Sequence, residues 1–89
     1  MTQPDTPKIE FPLNYPIKVI GDNSDGFQAT VVRIVTQFDP KFDASSITLI
    51  PSRNGTFVSL RLSLWATGED QLQGMYKALK ETGHVKMIL

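Results

Sequence analysis

The six residues from position 21 to 26, Gly-Asp-Asn-Ser-Asp-Gly, place four oxygen-bearing side chains between two glycines. A calcium loop of the EF-hand type needs oxygen ligands at its first, third and fifth positions, glycine at the sixth and glutamate at the twelfth. With Gly26 at the sixth position, Gly21 takes the first and Val32 the twelfth, so the pattern does not fit. A phosphate-binding P-loop is excluded as well, because Phe27 follows Gly26 where that motif requires lysine.

Two interpretations of this loop remain, and the one that we favour is structural. Asp, Asn and Ser are the usual N-cap residues, and acidic groups near a helix N-terminus favour the helix dipole. One of the side chains at positions 22–25 is therefore expected to cap a helix that begins near Phe27, and Asp25 with Gln28 has the spacing of a capping box. The alternative is a small-metabolite site at this helix N-terminus, formed by Gly21, Asn23, Ser24 and Gly26.

Residues that could support catalysis or bind a metal are few. His84 is the only histidine and the chain has no cysteine, which removes thiol catalysis and disulfides and leaves a transition-metal site without its usual ligands. A lone histidine is most often structural, although its titration near neutral pH allows a switch. No nucleophile lies beside an evident base. We therefore expect no catalytic residue, no metal and no cofactor, and we rank a hydrolase of phosphorylated or acyl substrates last.

The elements that position these residues begin with a strand and a helix. Tyr15–Gly21 has a strand composition, and the apolar residues of positions 27–38 recur on one helical face. A short strand then reaches Pro51, followed by the Asn-Gly signal of a tight hairpin. Positions 57–66 alternate apolar and polar side chains along their length, which predicts a strand with one buried face.

The second half of the chain adds one helix and one strand. Thr67 and Asp70 approximate a capping box, helical periodicity follows, and Gly83 suits the left-handed position after a helix. The last residues, His84–Leu89, alternate in the manner of a strand, with Val85, Met87 and Leu89 expected to share a face. The order βαββαβ predicts a ferredoxin-like α+β two-layer sandwich, with a four-stranded antiparallel sheet of order 4, 1, 3, 2 and both helices on one face.

The predicted sheet brings cations and aromatic residues onto the face that lies away from the helices. Strands four, one and three are neighbours about 4.8 Å apart, so Lys86, Lys18 and Arg61 are expected to form a basic stripe. Lone surface cations are usually solvated, but exposed aromatic residues mark contact patches. We interpret the set as an interface, with anion binding as the alternative; it comprises Lys18, Phe57, Arg61, Trp65 and Lys86.

Composition limits the classes of partner. The chain has 89 residues, with nine Lys and Arg against nine Asp and Glu, so no net charge attracts it to nucleic acid or to an anionic membrane. RNA-binding domains of this fold stack bases on aromatic residues of both central strands, whereas Lys18 holds the strand-one position here. No export signal or apolar span is evident, and the lack of cysteine favours the cytoplasm. Residues 1–10 are predicted to be a flexible tail and residues 11–89 a single domain.

The chain also resembles the YbeD-like family of small bacterial proteins over positions 11–89. The likeness is carried by Phe11-Pro12, Lys18-Val19 before Gly21, Pro51-Ser52 with Gly55, Ala66-Thr67, and the terminal Val85, Met87 and Leu89. It implies a ferredoxin-like domain similar to the ACT-type domains that regulate metabolic enzymes, in a family without an assigned activity. ACT-like domains often bind amino acids at the helix N-terminus. We therefore expect a binding or regulatory module that acts through a protein partner or self-association, and alternatively a metabolite sensor.

Overall fold

The computed structural model describes residues 10–89 and follows the predicted order of elements. These are β1 (Leu13–Asp22), α1 (Phe27–Phe38), β2 (Thr48–Pro51), β3 (Phe57–Ala66), α2 (Glu69–Glu81) and β4 (Val85–Ile88), with one turn of 3-10 helix at Ala44–Ser46. The predicted tail at 1–10 falls outside the described residues for positions 1–9.

The strands form one antiparallel sheet in the order β2-β3-β1-β4, which is the predicted order viewed from the opposite edge. The ferredoxin-like prediction is confirmed. Pro51 lies in β2, and this edge position tolerates the missing N–H of proline.

One hydrophobic core lies between the sheet and the two helices. β1 and β3 pair along ten residues each, and their alternate residues face the core. Both helices bury one apolar face against this surface. The buried apolar side chains are Ile17, Val19, Phe27, Val31, Ile34, Val35, Val58, Leu60, Leu62, Leu64, Ala66, Leu72, Met75 and Leu79.

The start of α1 differs from the prediction. Its N-cap is Gly26 at φ 84°, and no side chain caps the helix. The backbone closes this turn instead, because Phe27 N–H donates to the Ser24 carbonyl at 3.2 Å and Thr30 N–H donates to the Gly26 carbonyl at 2.9 Å. The predicted side-chain cap, including the Asp25 capping box, is therefore wrong.

The ends of α2 match the prediction in part. Its N-cap is Gly68, again without a side-chain cap, so the predicted box on Thr67 is wrong. Thr67 lies one residue upstream and donates its N–H to Gln71 Oε1 at 2.7 Å. At the other end Gly83 has φ 80°, the left-handed conformation predicted for it.

A bulge in the pairing of β1 with β4 changes which side chains of β4 share a face. Ile20 pairs with Met87, whereas Gly21 pairs with Val85, so Lys86 is an extra residue. Val85 precedes the bulge and packs against the core, but Met87 and Leu89 are exposed and Ile88 packs against the core in their place. The prediction that Val85, Met87 and Leu89 share a face is wrong for this reason.

Gly21 is a point of close approach between β1, α1 and β4. A Cβ built at this glycine would lie 2.4 Å from the Phe27 ring and 2.5 Å from the His84 carbonyl oxygen. The residue belongs to a strand and is buried. Only glycine lets the Phe27 ring close the core while β4 stays paired at this edge.

We expect Gly21→Ala to lower the free energy of unfolding by about 1–3 kcal/mol, because the Phe27 ring or β4 must move. Urea unfolding measures the change. Gly68→Ala is the matched control, since a Cβ there meets nothing within 4 Å, and its effect should stay within about 1 kcal/mol. Equal losses in the two variants would contradict the close-approach argument.

Candidate functional site

The sheet surface away from the helices, here called the open face, is organised in rows that cross the strands. Lys18 and Arg61 are directly paired on the two central strands, and Thr48 pairs with Arg61 from β2. On the β4 side, Leu89 exchanges two backbone hydrogen bonds with Lys18, of 2.9 and 3.0 Å. We call this set, Thr48, Arg61, Lys18 and Leu89, the cationic row.

The next row along the strands contains no charge. Ser59 pairs with Ile20 and with Ile50, and Ile20 pairs with Met87. Ile50 and Met87 are 44% and 50% exposed. This apolar row, Ile50, Ser59, Ile20 and Met87, crosses all four strands and lies beside the cationic row.

The third row lies at the end of β1 and carries the only carboxylate of β1. Asp22 pairs with Phe57. Its Oδ2 lies 3.5 Å from His84 Nδ1 and its Oδ1 lies 3.8 Å from Lys86 Nζ. We call Asp22, Phe57 and Lys86 the acidic row, after its carboxylate.

Lys86 is therefore not a member of a stripe with Lys18 and Arg61, and this predicted adjacency is wrong. The β4 bulge displaces Lys86 toward Asp22 and places Leu89 beside Lys18. Lys18 and Arg61 do lie together, as predicted. Among residues 10–89 neither of these two cations forms an ion pair.

The cationic row borders a shallow cleft of about 420 Å³. Lys18 and Arg61 line it together with the hydroxyl residues Ser46, Thr48 and Ser63. Two cations beside hydroxyl groups could hold a small anion. The cleft is open to solvent, so such a site would be weak without a further partner.

A second cleft, of about 650 Å³, lies beside the loop before α1, and we call it the loop cleft. The predicted ligand residues Asn23, Ser24 and Gly26 line it, but Gly21 does not because it is buried in β1. Asn23 is already engaged, since its Nδ2 donates to the Gly55 carbonyl at 2.8 Å. The remaining lining of the loop cleft includes Ala29, Val32, Arg33, Leu49 and Val58.

Trp65 lies at the far end of the open face and its backbone is held by a residue that the sequence did not identify. Asp39 follows α1 and is buried. Its Oδ2 accepts a 3.0 Å hydrogen bond from Trp65 N–H, and its Oδ1 accepts a 3.2 Å hydrogen bond from Lys41 N–H. An Asp before a proline signals a turn, but no local signal indicates a partner 26 residues away.

Gln71 of α2 completes this connection. Its Nε2 donates to the carbonyls of Phe38 at 2.7 Å and Trp65 at 3.1 Å. With the Thr67 bond at its Oε1, one side chain ties the end of α1 to the end of β3 and the start of α2. The exposed Trp65 ring is thus carried on a rigid backbone.

Two side chains have shifted pKa values. Burial, together with the neighbouring Tyr15, raises the pKa of Tyr76 to about 12, so this phenol stays neutral in the physiological range. Hydrogen bonds from Ser45 lower the pKa of Asp43, which starts the 3-10 turn. The Asp43 carboxylate accepts the Ser45 hydroxyl at 2.6 Å within an exposed 3-10 turn, and Tyr76 contacts the phenol of Tyr15, so both shifts are explained by local structure.

Within residues 10–89, no cluster of three or more His, Cys, Asp or Glu side chains could hold a metal ion. In the same part of the chain, no helix has the length and apolar character needed to cross a membrane.

Comparison with known sequences identifies relatives along almost the whole chain. A family model described as Protein of unknown function (DUF493) matches residues 6–89. A UPF0250 protein of Azotobacter vinelandii is 46% identical over 89 residues, covering 99% of this chain and 97% of that protein. The UPF0250 protein RSc0326 of Ralstonia nicotianae is 39% identical over 88 residues, covering 99% and 91%.

Solved structures with the same fold are more distant in sequence. Protein HP0495 from H. pylori is similar with a TM-score of 0.73 at 18% identity, covering 97% of this chain and 90% of that chain. The ACT domain from the GTP pyrophosphokinase of Chlorobium tepidum is similar with a TM-score of 0.58 at 15% identity, covering 86% and 97%. At these identities the likeness shows the fold alone.

We expect Asp39→Ala to lower the free energy of unfolding by about 1–3 kcal/mol, because the Trp65 N–H loses its acceptor at a partly buried position. Urea unfolding followed by tryptophan fluorescence measures the change. The matched control is Asp43→Ala, which removes an exposed carboxylate with local partners and should cost less than about 1 kcal/mol. Similar costs for both variants would show that Asp39 does not anchor this end of β3.

Proposed function

The chain belongs to the DUF493 family, as its YbeD-like residues predicted, and we propose that it is a binding and regulatory module that docks through its open face. Its partner is a protein surface, either a second copy or an enzyme that it regulates, and its compartment is the bacterial cytoplasm. The family has no assigned activity, so the proposal rests on the surface of this chain.

The observation that carries the proposal is the position of the exposed apolar side chains. Within residues 10–89, the exposed large apolar residues belong to the sheet strands or the residue after β4, and the helices carry none. Leu49 borders the loop cleft. The others lie on the open face: Ile50, Phe57, Trp65, Met87 and Leu89.

The residue types of the open face are those of protein interfaces. Aromatic residues, Met and Arg are enriched at interface centres, and Trp and Arg are frequent hot spots. The side chains are presented by strands rather than by loops, and the Trp65 backbone is held by Asp39 and Gln71. Little order is therefore lost when a partner binds, which favours affinity.

A regulatory role is supported by the fold and by the chemistry of the described residues. A solved structure of similar fold is an ACT domain of an enzyme, the GTP pyrophosphokinase of Chlorobium tepidum. The Ser45 hydroxyl and the Asp43 carboxylate lie 2.6 Å apart, but Asp43 also accepts the Ser45 N–H as the cap of an exposed 3-10 turn, so this pair has a structural role. The Tyr76 and Asp43 pKa shifts have structural causes as well. The module would act by population shift, because a partner that binds one assembly better stabilises that assembly.

Site-specific photo-crosslinking in cells tests the open face as the docking surface. A benzoylphenylalanine placed at Met87 is expected to give a protein adduct, while the same probe at Lys77, which is exposed on α2, gives none. Adding Trp65→Ala and Arg61→Glu to the first chain should remove the adduct without unfolding the protein. Adducts of equal yield at positions 87 and 77, or an adduct that survives both substitutions, would overturn the proposal.

The loop cleft favours a second function, that of a small-metabolite sensor. Its volume of about 650 Å³ lies within the range typical of small-ligand sites, and its lining combines apolar side chains with Ser24, Asp25 and Arg33. An amino acid or another small zwitterion would match this mixture of charges. The cleft lies between α1 and the β2 edge, so a bound ligand would couple the helix layer to the sheet.

Thermal unfolding against a panel of amino acids, nucleotides and acyl metabolites tests the sensor. A ligand at 100 times its dissociation constant adds about 2.7 kcal/mol, and each kcal/mol raises the midpoint by about 4–8 °C in a domain of this size. Gly26→Val should abolish the shift. Gly83→Val should retain it, since Gly83 has a similar φ but lies outside the cleft. A flat panel, or equal shifts in both variants, would contradict this second function.

A further inference from the structure

The central strands carry complementary groups on the two sides of the apolar row. On β1, Lys18 and Asp22 lie two residues on either side of Ile20, and on β3, Arg61 and Phe57 lie two residues on either side of Ser59. A cation on each central strand is thus mirrored across the apolar row by a group that attracts cations, a carboxylate on β1 and an aromatic ring on β3.

We infer that the partner of the open face is a second copy of this chain, packed face to face about a two-fold axis that runs along the apolar row. This inference rests on the proposed function, because it names the occupant of the same surface. A rotation about that axis places each apolar row on the other and exchanges the cationic row with the acidic row. Lys18 then meets Asp22 of the second copy, and Arg61 meets Phe57 of the second copy.

The charges also exclude the other simple two-fold arrangement. An axis parallel to the strands would place the cationic row of one copy on the cationic row of the other. Four cations would then lie together without a carboxylate, and such like-charge contacts are unfavourable. The axis along the apolar row is therefore the arrangement with complementary charges.

The pairing of Lys18 with Arg61 supports a counter-charge from outside residues 10–89. Two cations directly opposite each other on neighbouring strands repel, and no ion pair compensates them within residues 10–89. In the same part of the chain, the Asp22 carboxylate lies 3.5 Å from His84 Nδ1 and 3.8 Å from Lys86 Nζ, and its side chain is 37% exposed. Its carboxylate therefore keeps room for the Lys18 ammonium of a second copy.

The geometry of the open face suits this packing, and its overlapped area corresponds to a weak dimer. Aligned sheets pack about 10 Å apart with their strands crossed by about 30°. The cationic and acidic rows each lie two residues, or about 7 Å, from the apolar row. At that distance a 30° crossing shifts a side chain by about 3–4 Å from the group that faces it in the other copy. Lysine and arginine side chains are long enough to span this shift. The parts that overlap about this axis run from Lys18 to Asp22 on β1 and from Phe57 to Arg61 on β3. Four strands of about five residues cover on the order of 300 Å² per copy, which is the size of a weak, reversible contact.

Charge exchange between two variants tests the arrangement by sedimentation velocity over a concentration series. Lys18→Asp places carboxylate against carboxylate in the homodimer, and Asp22→Lys places ammonium against ammonium. Each variant alone should dissociate at least roughly tenfold more readily than the wild type. An equal mixture should recover a heterodimer, because both contacts then join opposite charges. The double variant Lys18→Asp with Asp22→Lys should recover the homodimer.

Lys77→Asp on α2 is the matched control and should leave the dimer unchanged, while circular dichroism confirms that each variant is folded. Recovery in the mixture supports the two-fold arrangement, because mixing the two variants restores opposite charges only if position 18 of one copy faces position 22 of the other. Single variants that dimerise as the wild type does, or a mixture that stays monomeric, overturn it.

Failure of this inference is distinguishable from failure of the proposed function. A wild-type chain that is monomeric throughout the series overturns the second copy as partner, whereas a position-87 adduct to a different protein still supports docking through the open face. Absence of any adduct at position 87 overturns both.

Discussion

The pairing of β1 with β3 is the constraint on which the rest of the structure depends. Ten consecutive residues of each strand are in register, and Val19 and Leu60 at its centre are fully buried. Because side chains alternate with a period of two, this register sends every second residue to the core and leaves the others on the open face. A slip of one residue would turn one strand over relative to the other, so that Lys18 would replace Val19 in the core, or Arg61 would replace Leu60, at a cost that the small core could not offset. The same pairing therefore sets both the stability of the domain and the composition of its open face.

The pairing at the β4 edge of the sheet is less regular than the β1–β3 pairing, and this irregularity determines which side chains meet on the open face. Gly21 accepts the Phe27 ring on one side and the β4 backbone on the other, and the bulge at this point moves Lys86 beside Asp22. One extra residue thereby replaces a uniform basic stripe by a face with Lys18 and Arg61 on one side of the apolar row and Asp22 with Lys86 on the other. A face of a single charge sign would repel a copy of itself, whereas the proposed dimer sets Lys18 of one copy against Asp22 of the other. A local irregularity of the backbone thus decides the charge pattern of the open face.

Polar side chains that join distant elements complete the scaffold. Asp39 and Gln71 bind the backbone of Trp65 and connect it to both helices. These hydrogen bonds keep the end of β3 from fraying, although an exposed aromatic residue lies there. Both helices begin at glycines that carry no side-chain cap, so their ends are fixed by packing and by backbone bonds. The capping signals in the sequence were misleading here, because glycines occupy both N-cap positions, and Asn23 binds the Gly55 carbonyl instead.

The sequence by itself determined the element order, the ferredoxin-like topology and the burial of alternate residues in β1 and β3, since these follow from periodicities that each segment carries locally. It also placed Lys18, Arg61, Phe57 and Trp65 on one face, because strand parity and sheet order suffice for that. Only the tertiary structure decided the place of Lys86, the exclusion of Gly21 from the loop cleft and the roles of Asp39 and Gln71. These depend on a bulge, a ring packed on a glycine and hydrogen bonds between residues far apart in the chain. Such features arise from the fit of one element against another, and no single segment encodes them.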